Sequence, residues 1–594
     1  MKQTKRFYFS ILLVFVIFGF QSSLLAQKSD LQIDYTVSLS DPATRQFHIT
    51  TEIKNINQPR FDLSLPTWTP GWYVVENYGK NLLRFKITDS AGKQIFHTRT
   101  KKQTWSLDTR NIKNIKVEYD YRADILALNQ AKISDDMAFF TGIELFLQPD
   151  GYRNTPSRVH FQIPQNWKLV SALKETSDPM TFIAADYDTL VDAPTEMGNL
   201  DITRFEIDGK PHTFVAYPAG TFSKEKTGTF TDMLSKVALT QKAIFGELPY
   251  EKYTYYYFFA PPESNASGAL EHLNSFVAFA PPGETALPER LIGTAAHEFF
   301  HLWNVKRIRP AEMFPYDYSR ENETPLLWVS EGFTNYYGAL STYRAGITSK
   351  EDFLNRRGSV IGAIENDEVR RFISPAEASV STWLGYDTPV AFGISYYTQG
   401  ENLGALLDLS IRHDTDNKAS LDDVFRALYN DFYKKGKGFT SDDLLGVIKK
   451  ITKKDYADFF HRYVFGLEVP NYEEIYGYAG YNVEKKTGAS PVFGFSVRNR
   501  NGGFLVNGVE TGSPADRAGL VNGDLILKIN GDAPQNAPFG TFAGKTIKLT
   551  VNRGGDETEI PMTVGSQEVT NYELVEMPQA SAQQMKIREG WLKR

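Results

Sequence analysis

His297 and His301 stand four residues apart, with Glu298 directly after the first, in the run Thr294-Ala-Ala-His-Glu-Phe-Phe-His-Leu-Trp303. An α-helix turns about 100° per residue, so side chains four apart lie on one face. Two imidazoles so placed aim at one point, as two ligands of a tetrahedral zinc ion must. Glu298, one step round the helix, can reach a water at that metal and act as its general base. Ala295, Ala296, Phe299, Phe300, Leu302 and Trp303 make the helix apolar nearly all round, which predicts burial. Buried histidines and a glutamate need partners, and a metal satisfies all three. A third protein ligand is expected on a second helix. Glu331, within Trp328-Val-Ser-Glu-Gly-Phe-Thr-Asn-Tyr-Tyr337, is flanked by apolar residues at helical spacing and fills that place. The expectation is one zinc ion on His297, His301 and Glu331.

Two further positions carry chemistry less distinctly. Glu271, in Gly268-Ala-Leu-Glu-His272, sits near a strand end. Spacing alone leaves it open between a surface carboxylate and one that holds a substrate's α-ammonium beside a peptide paired to the strand edge. Tyr396 and Tyr397 precede a helix, where tyrosines usually pack; one phenol near a zinc would instead donate to a developing oxyanion.

Holding these residues takes more than one core, since 594 residues exceed a single ordinary domain. A hydrophobic share of 41% and a charged share of 23% describe a globular chain, and a net charge of −6 argues against nucleic acid. Lys2, Lys5 and Arg6 precede the apolar run Phe7 to Phe20, and Ala26 offers a small residue for cleavage. Residues 1–26 therefore read as a secretory signal peptide, with an uncleaved anchor as the competing reading. No later run reaches the roughly 20 apolar residues of a membrane span. The absence of cysteine excludes disulfides, lipid attachment and thiol chemistry. An exported, periplasmic protein is expected.

Period-two alternation in Leu31–Leu39, Phe47–Ile53 and Ile115–Tyr121 predicts an antiparallel, sandwich-like domain over 27–222. Within it Leu65-Pro-Thr-Trp-Thr-Pro-Gly-Trp-Tyr73 is a rigid aromatic turn, expected to pack against the next domain, with no titratable cluster of its own. Over 224–483 a helix at Gly228–Phe245, strands at Tyr253–Phe259 and up to Phe279, a helix at Glu289–Val305 and the Glu331 helix follow the order of a thermolysin-like catalytic domain. Helices at Glu401–Arg412, Leu421–Tyr433 and Ser441–Ile451 extend it. Glu484-Lys-Lys-Thr-Gly-Ala-Ser-Pro491 reads as a polar linker. Short strands and glycine turns then fill 487–566, and a mixed tail, helical at its end, occupies 567–594. The fold class is multidomain α+β.

The longer motifs carry a family resemblance. His297-Glu-Phe-Phe-His-Leu-Trp-Asn-Val-Lys-Arg-Ile-Arg-Pro310, Trp328-Val-Ser-Glu-Gly-Phe-Thr334 and Gly268-Ala-Leu-Glu-His272 together resemble the PDZ-containing glycyl-aminopeptidase family of gluzincin metallopeptidases. Pro66-Thr-Trp-Thr-Pro-Gly-Trp72 resembles that family's amino-terminal domain, and Ser513-Pro-Ala to Asn530-Gly531 resembles a bacterial PDZ domain. The resemblance implies zinc on His297, His301 and Glu331, Glu298 as base, and Glu271 as the exopeptidase glutamate holding the free amine. It implies Tyr397 as the oxyanion donor, although Gln399 replaces the lysine of the related Tyr-x-Lys-Gly signature and Tyr396 stands beside it. Gly268 and Ala269 replace part of a Gly-Gly-Leu-Glu-His form and border the first substrate residue. The implied activity is removal of small amino-terminal residues, glycine or alanine, from peptides. The rivals are a zinc endopeptidase, for which Glu271 is incidental, and a non-catalytic protein whose PDZ groove near Phe493–Phe495 takes carboxyl-terminal peptides.

Overall fold

The computed structural model describes residues 30–260, 267–282, 285–384, 395–500 and 502–593. The signal peptide read at 1–26 and the stretch Val390–Ile394 before the tyrosine pair lie outside them. Among the described residues no helix is long and apolar enough to cross a membrane.

The amino-terminal domain is built of sheets, as the alternation predicts. Strand Gln32–Ser38 buries every second residue and pairs antiparallel with Gln46–Lys54 and parallel with Ser157–Gln162 in a seven-stranded sheet. Five- and four-stranded sheets complete it around a core including Phe47, Trp68, Tyr119 and Phe140.

The peptidase-like domain centres on a five-stranded sheet in the order Asp201–Ile207, Lys210–Tyr217, Tyr253–Phe259, Ser275–Ala280, Ala269–His272. Its first hairpin reads in sequence as part of the preceding sandwich. It pairs here because Lys210–Tyr217 runs parallel to Tyr253–Phe259, a long-range choice that alternation cannot reveal. Among the described residues Ala269–His272 pairs only with Ser275–Ala280 and so forms the sheet edge. Helix Lys224–Phe245, capped by Ser223 and ended by Gly246 at φ +88°, packs on helix Pro288–Phe300. The helical extension contains Lys350–Glu365, Tyr396–Asp414, Leu421–Asp431 and Ser441–Thr452, the last three close to their expected spans.

The PDZ domain is a five-stranded sheet from Ser496–Arg500 to Asp556–Thr563 with the short helix Pro514–Ala518, closed over Val506, Leu549 and Met562. The presumed polar linker is instead a strand: Tyr481–Val492 pairs along its whole length with Gly565–Glu576. A two-stranded ribbon exposed over most of its length buries few residues, so its sequence carries no burial period. Helix Ala582–Trp591 then returns to the peptidase core, where Trp591 is fully buried and donates from Nε1 to the Tyr336 hydroxyl at 2.8 Å.

Candidate metal centre and cleft

The helix carrying His297 and Glu298 begins at Pro288, whose missing N–H costs nothing in the first turn, and ends at Phe300. It is shorter than the expected Glu289–Val305, because the chain turns after His301. His301 still has right-handed backbone angles of −59° and −18°, so its side chain stays on the His297 face. The Phe299 and Phe300 carbonyls at the helix end accept from the turn itself, from Leu302 N, Trp303 N and Asn304 N. Arg307 donates to Leu302 O at 2.7 Å, and also to Leu273 O and Pro249 O.

Glu331 lies in a π-helical turn, Trp328–Phe333, that runs into helix Thr334–Arg344. Such turns widen a helix locally and must be held by their surroundings. Asn304, fully buried, does so: its Nδ2 donates to Val329 O at 2.9 Å and Ser330 O at 3.1 Å. Glycine pairing closes the other side. A Cβ at Gly400 would stand 2.1 Å from Trp328 O, so only glycine lets helix Tyr396–Asp414 come this close.

These elements bring His297 Nε2 and His301 Nε2 to 2.9 Å, with Glu331 Oε2 at 3.5 Å and 3.2 Å from them. A tetrahedron with bonds of about 2.0–2.1 Å has edges of about 3.4 Å, so the three atoms fit a zinc ion. His301 Nδ1 lies 2.6 Å from Asn304 O, a bond that leaves Nε2 free for the metal. Glu271, Glu298 and His301 form a second close group, with ligand atoms within 4.8 Å of one another. Burial alone would lower the His301 imidazole, but Glu331, Glu271 and Glu298 outweigh it and hold its pKa at about 10. Burial resists ionisation of Glu331, yet His301 and His297 hold it at about 2. Glu298 is pushed well up by burial and then by the facing Glu271 and Glu331. Three carboxylates converging on two imidazoles in a closed site are the charge pattern that a dication relieves.

A cleft of about 720 Å³ opens over this group, lined among others by Trp72, Gly268, Ala269, His297, Glu298 and Tyr397 and by Arg290, Asp352 and Arg356. Glu271 sits on the edge strand, 3% exposed, its Oε1 without a hydrogen-bond partner among the described residues. Of the tyrosine pair, Tyr396 makes a contact to Thr382 Oγ1 at 3.1 Å, while Tyr397 lines the cleft with its ring 6.2 Å from that of His297. All the sequence-predicted site residues therefore lie together.

Sequence reasoning missed a supporting set. Lys306, fully buried, meets Asp192 at 2.8 Å, and Asp192 accepts from Leu273 N and approaches His272, locking the turn behind Glu271. The polar run Asn304–Arg307 after an apolar helix was the available signal; Asp192, 80 residues before His272, had none. The aromatic turn does pack across the domain boundary, with Thr67 N donating to Tyr318 O and Trp68 Nε1 to Asp317 O. The expectation that nothing titratable gathers there is corrected. Tyr73 brings a buried, unpartnered hydroxyl into the field of Glu331, Tyr396 and Glu271, which adds to burial in raising its pKa.

Family models place this architecture. The M61 peptidase amino-terminal domain matches residues 34–199, the M61 glycyl aminopeptidase model residues 290–403, and a PDZ model residues 505–537. Two of these models, over 34–199 and 290–403, are the two domains of the M61 glycyl aminopeptidase family, which this chain therefore resembles. The crystal structure of an aminopeptidase N family protein from Idiomarina loihiensis is 24% identical, covers 94% of this chain and all of its own, and superposes with a TM-score of 0.81, which shows a shared fold. An M1 zinc metallopeptidase from Deinococcus radiodurans is 13% identical over 74% of this chain and 95% of its own, with a TM-score of 0.47, too low to carry argument. A Staphylococcus aureus protein named a probable CtpA-like serine protease is 28% identical over 159 residues, 26% of this chain. The chain spans 28% of that relative's length.

Proposed function

We propose that the protein is a zinc-dependent aminopeptidase removing small amino-terminal residues, glycine or alanine, from peptides. The supporting observation is Glu271: a buried carboxylate with an unpartnered oxygen, on a sheet edge, beside the proposed base and ligands. A substrate's α-ammonium supplies the missing partner, and an extended peptide can pair with the edge strand.

His297, His301 and Glu331 would hold one zinc ion, which when bound supplies Lewis acidity toward water and the scissile carbonyl. Glu298 takes the proton of the attacking water and passes it to the leaving amine. Tyr397 donates its hydroxyl hydrogen to the oxygen that gains charge. Gly268 and Ala269 border the first side chain. The PDZ sheet, with Phe493 and Phe495 packed against its core, offers a strand edge to a carboxyl-terminal peptide. Export to a periplasm through removal of residues 1–26 completes the reading; sequencing the amino terminus of the secreted protein checks it.

The deciding assay compares Gly- and Ala-peptides carrying free or acetylated amines, with Glu271→Ala in parallel. Loss of cleavage in both is expected. Equal cleavage of acetylated peptides would identify an endopeptidase and remove the role given to Glu271.

A further inference from the structure

We propose that the turn Pro70-Gly71-Trp72-Tyr73 of the amino-terminal domain is the stop that restricts this cleft to peptides with an unsubstituted amino terminus, Gly71 and Trp72 being its specificity-determining residues. The inference rests on the reading of Glu271 above and adds where the restriction comes from: a different domain.

Three observations carry it. The turn is fixed on the peptidase domain rather than on its own sheet alone. Thr67 N donates to Tyr318 O at 2.8 Å and Trp68 Nε1 to Asp317 O at 3.0 Å, while the Trp68 ring meets Tyr316 and Trp383 edge-on. Next, the backbone of Gly71 lies directly against the Glu271 carboxylate. At φ +89°, a Cβ there would stand 2.6 Å and 2.8 Å from its two oxygens. The space just beyond an amine held by Glu271 is thus already filled by main chain, and an acyl group or a preceding residue has nowhere to go. Finally, Trp72 lines the same cleft as Gly268, Ala269 and Tyr397, together with the helix face Arg290, Gly293 and His297. Acetylation fails twice, losing the positive charge that Glu271 needs and adding three heavy atoms against the wall that Gly71 and the Trp72 ring make together.

The test uses the full chain with zinc and measures kcat/KM for trialanine and N-acetyl-trialanine in wild type, Trp72→Ala and Gly71→Ala, with zinc affinity from chelator competition. Wild type is expected to prefer the free amine strongly. Trp72→Ala opens the wall, and its preference is expected to fall at least tenfold through better cleavage of the acetylated peptide. Gly71→Ala pushes a methyl onto the Glu271 carboxylate and onto Leu270 Cδ1, 2.6 Å away, and KM for trialanine is expected to rise at least tenfold with zinc affinity unchanged. If wild type discriminates and Trp72→Ala keeps the full ratio, the stop is not this turn and the proposal is overturned, whether or not Gly71→Ala folds. If wild type cuts both peptides equally, the aminopeptidase reading fails before this one is reached.

Discussion

Asn304 shows how much of a metal site is settled by a residue that touches no metal. Its carbonyl accepts from His301 and its side-chain amide donates to two carbonyls of the turn that presents Glu331, so one residue orients two of the three ligands. Replacing it with alanine removes the side-chain half of that link. Outer partners of this kind typically matter about 10–100-fold in metal affinity. Asn304→Ala is accordingly expected to bind zinc about 10–100-fold more weakly in chelator competition, with an unchanged circular dichroism spectrum. Unchanged affinity would make Asn304 a packing residue only. At this scale the sequence was legible where chemistry is local. His297, Glu298 and His301 are set by spacing along one helix, and Glu331 by apolar neighbours. Tyr73 was not legible, since its meaning depends on a domain contact joining residues about 250 positions apart.

Between elements, the site is held by contacts that leave little room and by one buried ion pair. The glycines at 332 and 400 let a π-helical turn and helix Tyr396–Asp414 meet backbone to backbone, which puts Tyr397 over the ligands. Behind Glu271, Asp192 joins the amino-terminal domain to Lys306 and to the hairpin turn at Leu273. Burial alone would raise this carboxyl, but Lys306 and His272 hold it at about 2. An unfolded aspartate titrates near 3.9. The folded value is the lower one, so the stabilisation is complete above about pH 4 and is lost as the pH falls toward 2. The shift corresponds to about 2.5 kcal/mol at neutral pH. Asp192→Asn is therefore expected to melt well below wild type at pH 7 and to approach it as the pH drops from 4 to 2. A gap that stays constant across that range would show that Asp192 acts through shape alone. The helices here were legible from apolar periodicity; the early stop after Phe300 was not, because the turn that follows it is tied by Arg307 to Leu302, Leu273 and Pro249, two of them distant in sequence.

Across the whole molecule the PDZ domain is an insertion rather than an appendage. The chain leaves the peptidase domain on strand Tyr481–Val492, builds the PDZ sheet, returns on Gly565–Glu576 and ends the ribbon against helix Lys350–Glu365. There Asn366 exchanges two hydrogen bonds with Thr570, and a Cβ on Gly358 would stand 2.1 Å from Tyr572 O. That same helix supplies Asp352, Phe353 and Arg356 to the cleft. The sequence reads 484–491 as a linker and 567–594 as a tail because a mostly exposed ribbon has no burial period and one buried tryptophan makes no pattern. Trp591 gives the return its energetic content. Its ring packs on Phe353 at 5.5 Å, and its Nε1 donates to Tyr336, whose hydroxyl in turn reaches Asp408 at 2.7 Å. Truncating a fully buried tryptophan costs about 3–5 kcal/mol. Trp591→Ala is thus expected to lower the melting transition of the peptidase domain, read by loss of activity on heating, while the PDZ domain, with its separate core over Val506 and Leu549, melts unchanged. Should the PDZ transition fall and the peptidase transition hold, helix Ala582–Trp591 would be serving the PDZ domain and the insertion reading would be wrong. Because Trp591 touches Phe353 and Phe353 lines the cleft, the variant is also expected to raise KM for tripeptides below its melting point, which a tail merely resting on the surface would not do.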